Sequence, residues 1–296
     1  MSHQVLDSNF SLNFVEELFS KTDSFLNGDK SYNFQGKLVA SVFFEPSTRT
    51  RTSFEIASKR IGCDFVHLNV DSSTSLSKGE SDQDTVLNLV SMKPDLLILR
   101  HSNFKSLTSA LDRISCPIIS AGDGKLEHPT QALLDAYTIR HFKKDFKGLR
   151  VLLVGDVKNS RVANSNRILL QNLGAEITIC CPDIFKPDSK EWENIPHINK
   201  LNESIGEFDV IMKLRLQKER LGEERESVSD LRAFVLNSKH FEWAQSEAVF
   251  MHPGPKIDGE DFLPEVLSDS RIKILKQVEF GVYLRSALMS LLLEQS

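Results

Sequence analysis

A string of hydroxyl and guanidinium side chains follows the first long apolar run of the sequence. The segment Glu45–Arg51 reads EPSTRTR and stands where a predicted strand gives way to a predicted helix. The first turn of a helix presents unpaired N–H groups and partial positive charge, and the planar fork of Arg49 fits phosphate oxygens. With the hydroxyls of Ser47 and Thr48, these groups are typical of a phosphate site, although an ordinary Ser/Thr cap beside solvated arginines has the same composition. The segment is not a Walker A loop.

Six further polar clusters stand at the ends of predicted strands or directly after them. Ligands of parallel α/β sheets bind at the carboxyl ends of the strands, so these clusters are predicted to form one composite site. Within them, His128 at a helix start can donate a hydrogen bond to a reacting carbonyl, and Arg161 at another helix start can hold a carboxylate. The clusters are Asp71–Glu80, Leu99–Ser102, Gly122–Gln131, Val154–Arg161, Leu214–Arg220 and Met251–Lys256.

Short apolar runs alternate with longer amphipathic ones, a pattern that indicates βαβ units and parallel sheets. We therefore predict an α/β fold with two doubly wound domains, each a parallel sheet flanked by helices, joined by long helices. The predicted strands are 37–44, 64–69, 95–101, 117–121, 150–156, 176–181 and 209–214, and the predicted helices are 47–61, 79–92, 106–114, 129–142, 161–173 and 271–293.

The pattern restarts after the polar stretch 143–148, which marks a domain boundary. The first predicted domain comprises residues 1–142 and is completed by a C-terminal helix at about 280–296. The second comprises residues 143–279. The strand at 150–156 suggests a nucleotide-dependent dehydrogenase, but no G-x-G-x-x-G follows it, which argues against that class.

Composition excludes several classes of protein. The 296 residues carry 36 Lys and Arg against 41 Asp and Glu, a formal net charge of −5, which argues against an extended nucleic-acid surface. The four cysteines form no C-x-x-C pair, and core thiols are the expected interpretation. No apolar run reaches the length of a membrane span, and the N-terminus lacks the pattern of a signal peptide. We expect a soluble cytoplasmic protein with no metal and no organic cofactor.

The order and spacing of the clusters resemble the aspartate/ornithine carbamoyltransferase family over about residues 37–293. The string Phe43–Arg51 matches the family's carbamoyl-phosphate signature F-x-E-P-S-T-R-T-R, and His128–Gln131 matches its H-P-x-Q. Ornithine enzymes typically carry H-P-C-Q, D-x-x-x-S-M-G and H-C-L-P. The corresponding segments here are HPTQ at 128–131, RLQ at 215–217 and HPGP at 252–255, which favour the aspartate branch.

The resemblance implies a role for each matching residue. The residues that would bind phosphate are Ser47, Thr48, Arg49, Thr50 and Arg100, and those that would polarise the carbonyl are Thr50, Arg100 and His128. The carbamoyl amide would be held by Gln131 and by the main-chain carbonyls of Pro253 and Gly254. The residues that would bind aspartate are Lys78, Arg161, Arg215 and Gln217. Ser75 and Lys78 would come from the adjacent subunit of a homotrimer, and Glu45 would hold the domains closed with Arg161 and Arg220. Two departures stand out: the interval from Ser75 to Lys78 is one residue shorter than in some members, and Gly254 stands where some members carry Leu.

The implied activity is transfer of a carbamoyl group from carbamoyl phosphate to the amine of aspartate, a step of pyrimidine synthesis. An enzyme with another amino-acid acceptor is the alternative. A non-catalytic paralogue would be expected to lose Arg49, Lys78 or His128, all of which are present. The resemblance leaves open whether a separate zinc-binding regulatory polypeptide or dihydroorotase associates with the chain.

Overall fold

The computed structural model describes residues 4–28, 32–70, 79–216 and 231–295. The chain divides into two compact units. The first unit is formed by Met1–Leu134 and Glu279–Ser296, and the second is formed by Asp135–Val278.

The first unit is built on a parallel sheet with the strand order β1-β5-β4-β2-β3. The central strands are buried along almost their whole length because they are continuous apolar runs, as expected for a parallel sheet covered on both faces. The strands are β1 (Gln4–Val5), β2 (Leu38–Phe43), β3 (Asp64–Asn69), β4 (Leu96–His101) and β5 (Ile118–Asp123), and the helices between them are α1 (Leu12–Leu26), α2 (Thr48–Arg60), α3 (Asp82–Ser91) and α4 (Thr108–Leu111).

The second unit repeats this architecture with the strand order β10-β9-β6-β7-β8, also parallel. Ser160 caps its first interior helix by accepting a hydrogen bond from the N–H of Ala163. The strands are β6 (Arg150–Val154), β7 (Glu176–Cys180), β8 (His197–Ile198), β9 (Val210–Lys213) and β10 (Val249–Met251), and the interior helices are α6 (Arg161–Asn172) and α7 (Ser238–Trp243).

Two long helices each contribute residues to both units. They are α5 (Pro129–Lys143) and α8 (Ile274–Glu294). Pro129 begins α5, where its missing N–H has no intrahelical partner to lose. The predicted α/β class with two doubly wound parallel sheets is confirmed.

The structure differs from the sequence prediction at several elements. The predicted helix at 106–114 is a 3₁₀ turn, Phe104–Leu107, followed by the four-residue α4. The helices α1 and α7 and the strands β1, β8 and β10 were not predicted as elements. The three missed strands are only two or three residues long, too short for an apolar run to indicate them.

The cysteine thiols are all free, and Cys63, Cys180 and Cys181 are buried. Burial raises the pKa of the Cys63 thiol to about 11. It raises the pKa of the thiols of Cys180 and Cys181, which are adjacent in sequence, to about 12. Within the described residues, no cluster of His, Cys, Asp or Glu is arranged to hold a metal ion. None of the described helices is both long enough and apolar enough to cross a membrane.

Candidate active site

One candidate site lies at the carboxyl ends of three neighbouring strands of the first unit. Strands β5, β4 and β2 are adjacent in the sheet, and Phe43 of β2 pairs with Arg100 of β4. The backbone N–H of Phe44 donates to the carbonyl of Arg100 over 2.9 Å, which extends the ladder to the edge. The segment that starts α2 and the segment that carries Arg100 therefore leave the sheet side by side.

The start of α2 has the features of an anion site. Ser47 occupies the cap position with an extended backbone, and its side chain makes no capping hydrogen bond. The first main-chain bond of the helix runs from the N–H of Arg51 to the carbonyl of Ser47 over 3.3 Å. The amides of the first turn therefore have no intrahelical acceptor and suit an anionic oxygen. Thr48 and Arg49 are exposed beside this turn, whereas Thr50 is buried.

Arg100 is fixed in place by contacts on two sides. Its Nε lies 3.3 Å from Oε2 of Glu45, and its Nη1 donates to the carbonyl of Ala121 over 3.2 Å. The side chain of Arg100 is buried even though it carries a full positive charge. The guanidinium is thus held in one orientation at the sheet edge, where it can contact an anionic ligand.

His128 is positioned by a tight loop that follows β5. The N–H of Asp123 donates to the carbonyl of Glu127 over 2.9 Å, and the N–H of Gly124 donates to the carbonyl of His101 over 2.8 Å. Gly124 has φ +43°, and a Cβ there would lie 2.1 Å from the carbonyl oxygen of Ser102, so only glycine fits. The loop that leads into His128 is therefore tied to the end of β4 at His101, the residue after Arg100.

The imidazole of His128 and the amide of Gln131 are both buried at the start of α5. The carbonyl of His128 accepts the N–H of Gln131 over 2.9 Å, so both residues belong to the first turn. This places a ring nitrogen and a side-chain amide on the same helix start.

His101, which neighbours Arg100, has a different set of contacts. Its Nε2 lies 2.8 Å from Oδ2 of Asp82 at the start of α3, and the N–H of Asn103 donates to its Nδ1 over 2.9 Å. Its ring also packs edge-on against Phe44. These contacts hold the loop after β4 and the start of α3 together, which is a structural role.

Another candidate site lies at the carboxyl ends of β6, β9 and β10 in the second unit. Arg161 is the first residue of α6, and Arg215 follows β9 between the buried residues Leu214 and Leu216. The N–H of Leu214 donates to the carbonyl of Val154 over 2.7 Å, which carries the ladder past the end of β9. Because β6 and β9 are neighbours, the two arginines emerge from the same edge of one sheet.

The turn after β10 is shaped by His252. The N–H of Gly254 donates to Nδ1 of His252 over 2.7 Å, and Gly254 has φ +72°, a conformation that favours glycine. Pro253 and Gly254 are both half-buried in this turn. The hydrogen bond to His252 therefore holds the backbone of Gly254 in this turn.

A buried polar chain connects this turn to α6. The N–H of His252 donates to Oε1 of Gln277 over 2.9 Å, and Nε2 of Gln277 donates to Oδ1 of Asp135 over 2.8 Å. The other carboxylate oxygen of Asp135 accepts from Nδ2 of Asn166 in α6 over 2.9 Å. The turn and the helix that begins at Arg161 are thus held by one hydrogen-bonded network inside the second unit.

A buried ion pair lies behind the same edge, between Lys213 and Asp261. Their side chains are 0% and 1% exposed, and Nζ lies 3.5 Å from Oδ1. Burial lowers the pKa of Lys213, and the neighbouring carboxylate partly offsets this effect. Burial acts to raise the pKa of Asp261, but the hydrogen bond from His252 and the charge of Lys213 outweigh it and hold the pKa at about 2.

Sequence reasoning did not identify this pair or the network through Asp135. The signal was present, since Lys213 interrupts an apolar strand, VIMKL, and Asp135 interrupts an apolar helix, ALLDAY. A charge among apolar residues at a buried position indicates a partner, but the sequence does not say which one.

Four residues of the predicted site lie outside the described residues. They are Ser75, Lys78, Gln217 and Arg220. Glu45, predicted to hold the domains closed, contacts Arg100 within the first unit, and its predicted role in closure stays a prediction.

Comparison with known proteins places the chain in a family. Residues 3–141 match the family model for the aspartate/ornithine carbamoyltransferase carbamoyl-P binding domain, and residues 147–292 match the model for the Asp/Orn binding domain of the same family. The aspartate carbamoyltransferase catalytic subunit of Aliarcobacter butzleri is 40% identical over 296 residues, covering 99% of this chain and 98% of the relative. The corresponding subunit of Chelativorans sp. is 42% identical over 262 residues, covering 88% and 82%.

Solved structures agree with these relatives. The crystal structure of aspartate transcarbamoylase from Trypanosoma cruzi in complex with carbamoyl phosphate superposes with a TM-score of 0.88 at 28% sequence identity, covering 97% of this chain and 94% of that one. Both halves of the chain match one family, and the two relatives match it over 98% and 82% of their own length. The chain belongs to the aspartate/ornithine carbamoyltransferase family.

Proposed function

We propose that this chain is the catalytic chain of an aspartate carbamoyltransferase. It transfers the carbamoyl group of carbamoyl phosphate to the α-amine of L-aspartate, giving N-carbamoyl-L-aspartate and phosphate. The observation that carries the proposal is the uncapped start of α2 beside the buried Arg100, within residues that match a carbamoyl-P binding domain. Crystal structures of the Trypanosoma cruzi enzyme contain carbamoyl phosphate, aspartate or N-(phosphonacetyl)-L-aspartic acid, and we extend these ligand classes to this chain.

The first domain, residues 1–142 with about 280–296, binds carbamoyl phosphate in this proposal. Ser47, Thr48, Arg49 and Thr50 bind its phosphate with the first-turn amides of α2. The exposed Arg49 and the buried Arg100 supply the positive charge. Gln131 and the carbonyls of Pro253 and Gly254 hold the carbamoyl amide, the latter pair from the second domain.

The chemical step needs positioning and charge stabilisation rather than a covalent intermediate. The amine nitrogen of aspartate attacks the carbonyl carbon, and a tetrahedral oxyanion forms. Thr50, Arg100 and His128 stabilise that oxygen by donating hydrogen bonds. The C–O bond to phosphate then breaks, phosphate leaves with the bonding electron pair, and the amine proton passes to phosphate or solvent. The acyl donor is already activated, so the proposed reaction uses no cofactor.

The second domain, residues 143–279, binds aspartate. Arg161 and Arg215 form ion pairs with the two carboxylates, with Gln217 and Lys78 as further donors. A guanidinium at each of these places favours a dicarboxylic acceptor and repels the side chain of ornithine. The support from the structure is that both arginines leave one edge of one sheet.

We propose further that the chain assembles as a homotrimer in which Ser75 and Lys78 reach the site of the adjacent subunit. This proposal rests on the family resemblance. Association with a regulatory polypeptide or dihydroorotase, placement in pyrimidine synthesis and a cytoplasmic location are expectations of the same kind.

The test is formation of the ureido product by the purified full chain with carbamoyl phosphate. Aspartate, ornithine and their N-acetyl and N-succinyl derivatives serve as parallel acceptors, and reactions without protein correct for spontaneous carbamoylation. Product with aspartate alone supports the proposal. Product with another acceptor establishes the alternative carbamoyltransferase, and product with none contradicts both.

A further inference from the structure

Lys213 is a fully buried cation at the end of the strand that delivers Arg215. Its side chain is 0% exposed, and its Nζ donates to the main-chain carbonyl of Leu214 over 2.8 Å. That carbonyl is also packed against Gly155, where a Cβ would lie only 2.3 Å from the oxygen. The peptide that precedes Arg215 is therefore fixed by the lysine on one side and by the loop after β6 on the other.

Asp261 extends this contact to the turn after β10. Its Oδ1 faces Lys213 over 3.5 Å, while its Oδ2 lies 3.2 Å from Nε2 of His252 and accepts the N–H of Ile257 over 2.8 Å. Both carboxylate oxygens are thus engaged.

The contacts of His252 define its protonation state. Nδ1 accepts the N–H of Gly254 and must therefore be unprotonated, so a neutral ring carries its proton on Nε2. Nε2 is the nitrogen that faces Asp261, and it lies 3.2 Å from Oδ2 of that carboxylate. Asp261 accordingly selects the tautomer of His252 that can hold Gly254 in the turn.

We propose that Lys213 and Asp261 are positioning residues that set the geometry of the Arg215 segment and of the Pro253–Gly254 turn together. Lys213 acts on Arg215 through the Leu214 carbonyl, and Asp261 acts on Gly254 through His252. This inference rests on the proposed function, in which those two segments hold aspartate and the carbamoyl amide. Neither residue contacts substrate in this scheme.

A role in positioning explains why a buried ion pair stands where an apolar pair would cost less free energy. Burying two charges costs more free energy than burying an apolar pair of similar volume. Replacing a buried ion pair by apolar residues is therefore often neutral or stabilising. Lys213 stands in the otherwise apolar stretch VIMKL, where an apolar residue would satisfy packing alone. Only a donor at this place holds the Leu214 carbonyl.

The test compares the wild-type chain with Lys213→Met, Asp261→Asn and the double variant Lys213→Met/Asp261→Asn. Each single variant leaves one buried charge without its partner, and that alone can unfold a domain. The double variant removes both charges at nearly constant volume. The matched control is Lys200→Met, which makes the same chemical change at an exposed position of the same unit.

The double variant is expected to melt within about 5 °C of the wild type, because no charge is left buried alone. Its KM for aspartate is expected to rise about tenfold and its kcat to fall, because a small displacement of binding groups is costly in rate. Lys200→Met is expected to match the wild type in both constants. A folded double variant with wild-type KM and kcat would overturn the inference, since a purely structural pair predicts that result.

A second measurement uses the wild-type chain alone, so it does not depend on whether variants of Lys213 and Asp261 fold. Nitrogen-15 spectra of the wild-type chain at pH 7 should show His252 neutral with its proton on Nε2. A proton on Nδ1, or a charged ring, contradicts the proposed chain of contacts.

If the wild-type chain makes no carbamoyl aspartate, the proposed function fails. If it does and the double variant is unaltered, this inference fails alone.

Discussion

Glu45 and Arg100 form an ion pair at the point where α2 and the loop after β4 leave the sheet, with Oε2 and Nε 3.3 Å apart. The carboxylate holds one side of a buried guanidinium whose other side is held by the carbonyl of Ala121. Glu45 therefore orients the cation that we propose to contact carbamoyl phosphate.

Replacing Glu45 by glutamine tests this relationship against the predicted role in domain closure. Glu45→Gln is expected to raise the KM for carbamoyl phosphate about tenfold, because a charge-assisted contact to Arg100 is lost. Glu55→Gln, at an exposed ion pair with Lys59, is the control and should leave both KM values unchanged. If Glu45→Gln raises only the KM for aspartate, the closure role is favoured and the orienting role is wrong.

His128→Ala is expected to lower kcat by about 10²–10³-fold, as in other sites that lose one oxyanion donor. The dissociation constant of carbamoyl phosphate, measured by calorimetry, should change much less, because the donor acts mainly on the transition state. His141→Ala, at an exposed position of the same helix, provides the comparison. Unchanged turnover of the His128 variant would remove the proposed role.

Arg215→Ala is expected to raise the KM for aspartate at least about a hundredfold, because a carboxylate loses a bidentate partner. The KM for carbamoyl phosphate should stay close to that of the wild type. Arg150→Ala removes a surface arginine paired with Glu207 at the opposite end of β6, and it should change neither constant. An aspartate saturation curve that overlays the wild-type curve would show that another group binds the carboxylate.

Mixing two inactive variants tests the shared site of the proposed trimer. Arg49→Ala and Lys78→Ala chains are each expected to be nearly inactive alone. When the two variants are dissociated and reassembled together, they should regain part of the wild-type activity. Some sites then combine the wild-type Arg49 of one chain with the wild-type Lys78 of its neighbour. Mixing each variant with itself is the control, and no regain in the mixed sample would argue that the site is complete within one chain.

Acid should remove the contribution of Asp261 to stability. Its pKa is about 2 in the folded chain against an ordinary 3.8, so the carboxylate stabilises the fold above about pH 4 and loses that effect as the pH falls toward 2. The full contribution is about 2 kcal/mol, and about half of it should be lost by pH 3.

The measurement is urea unfolding of the wild type and of Lys213→Met/Asp261→Asn between pH 6 and pH 3. The free energy of unfolding of the wild type, relative to that of the variant, should fall by about 1 kcal/mol over this range. Lys158→Met/Asp188→Asn removes an exposed pair and should show a smaller change, because solvent screens it. A difference that is constant with pH would contradict the low pKa of Asp261.

The fold could be predicted where local pattern and tertiary environment agree. Helix α2 was predicted at 47–61 and is found at Thr48–Arg60, because a Ser/Thr start and an apolar face both indicate it. The prediction failed at 106–114, where only a 3₁₀ turn and one turn of α-helix form. Helix α1 was missed although Ser11 caps it and buried residues recur at helical spacing.

In the candidate site, too, local features could be predicted from the sequence and contacts between distant residues could not. The EPSTRTR and HPTQ segments could be identified from the sequence because their chemistry is local. The partners of Lys213 could not, because Asp261 is 48 residues away along the chain and comes near Lys213 only in the folded second unit. Roles that depend on Ser75, Lys78, Gln217 and Arg220 stay predictions.

The strands that deliver Ser47 and Arg100 belong to one sheet, and those that deliver Arg161 and Arg215 belong to another. Each sheet completes its own hydrogen-bond ladder, so the backbone that carries one set of residues is built independently of the backbone that carries the other. Acceptor preference is therefore open to directed evolution in the loops after β6 and β9, which lie on a different sheet from Ser47 and Arg100. Because Lys213, Asp261 and His252 link the Arg215 segment to the Pro253–Gly254 turn, a library in these loops has to retain that network to keep the carbamoyl amide in place.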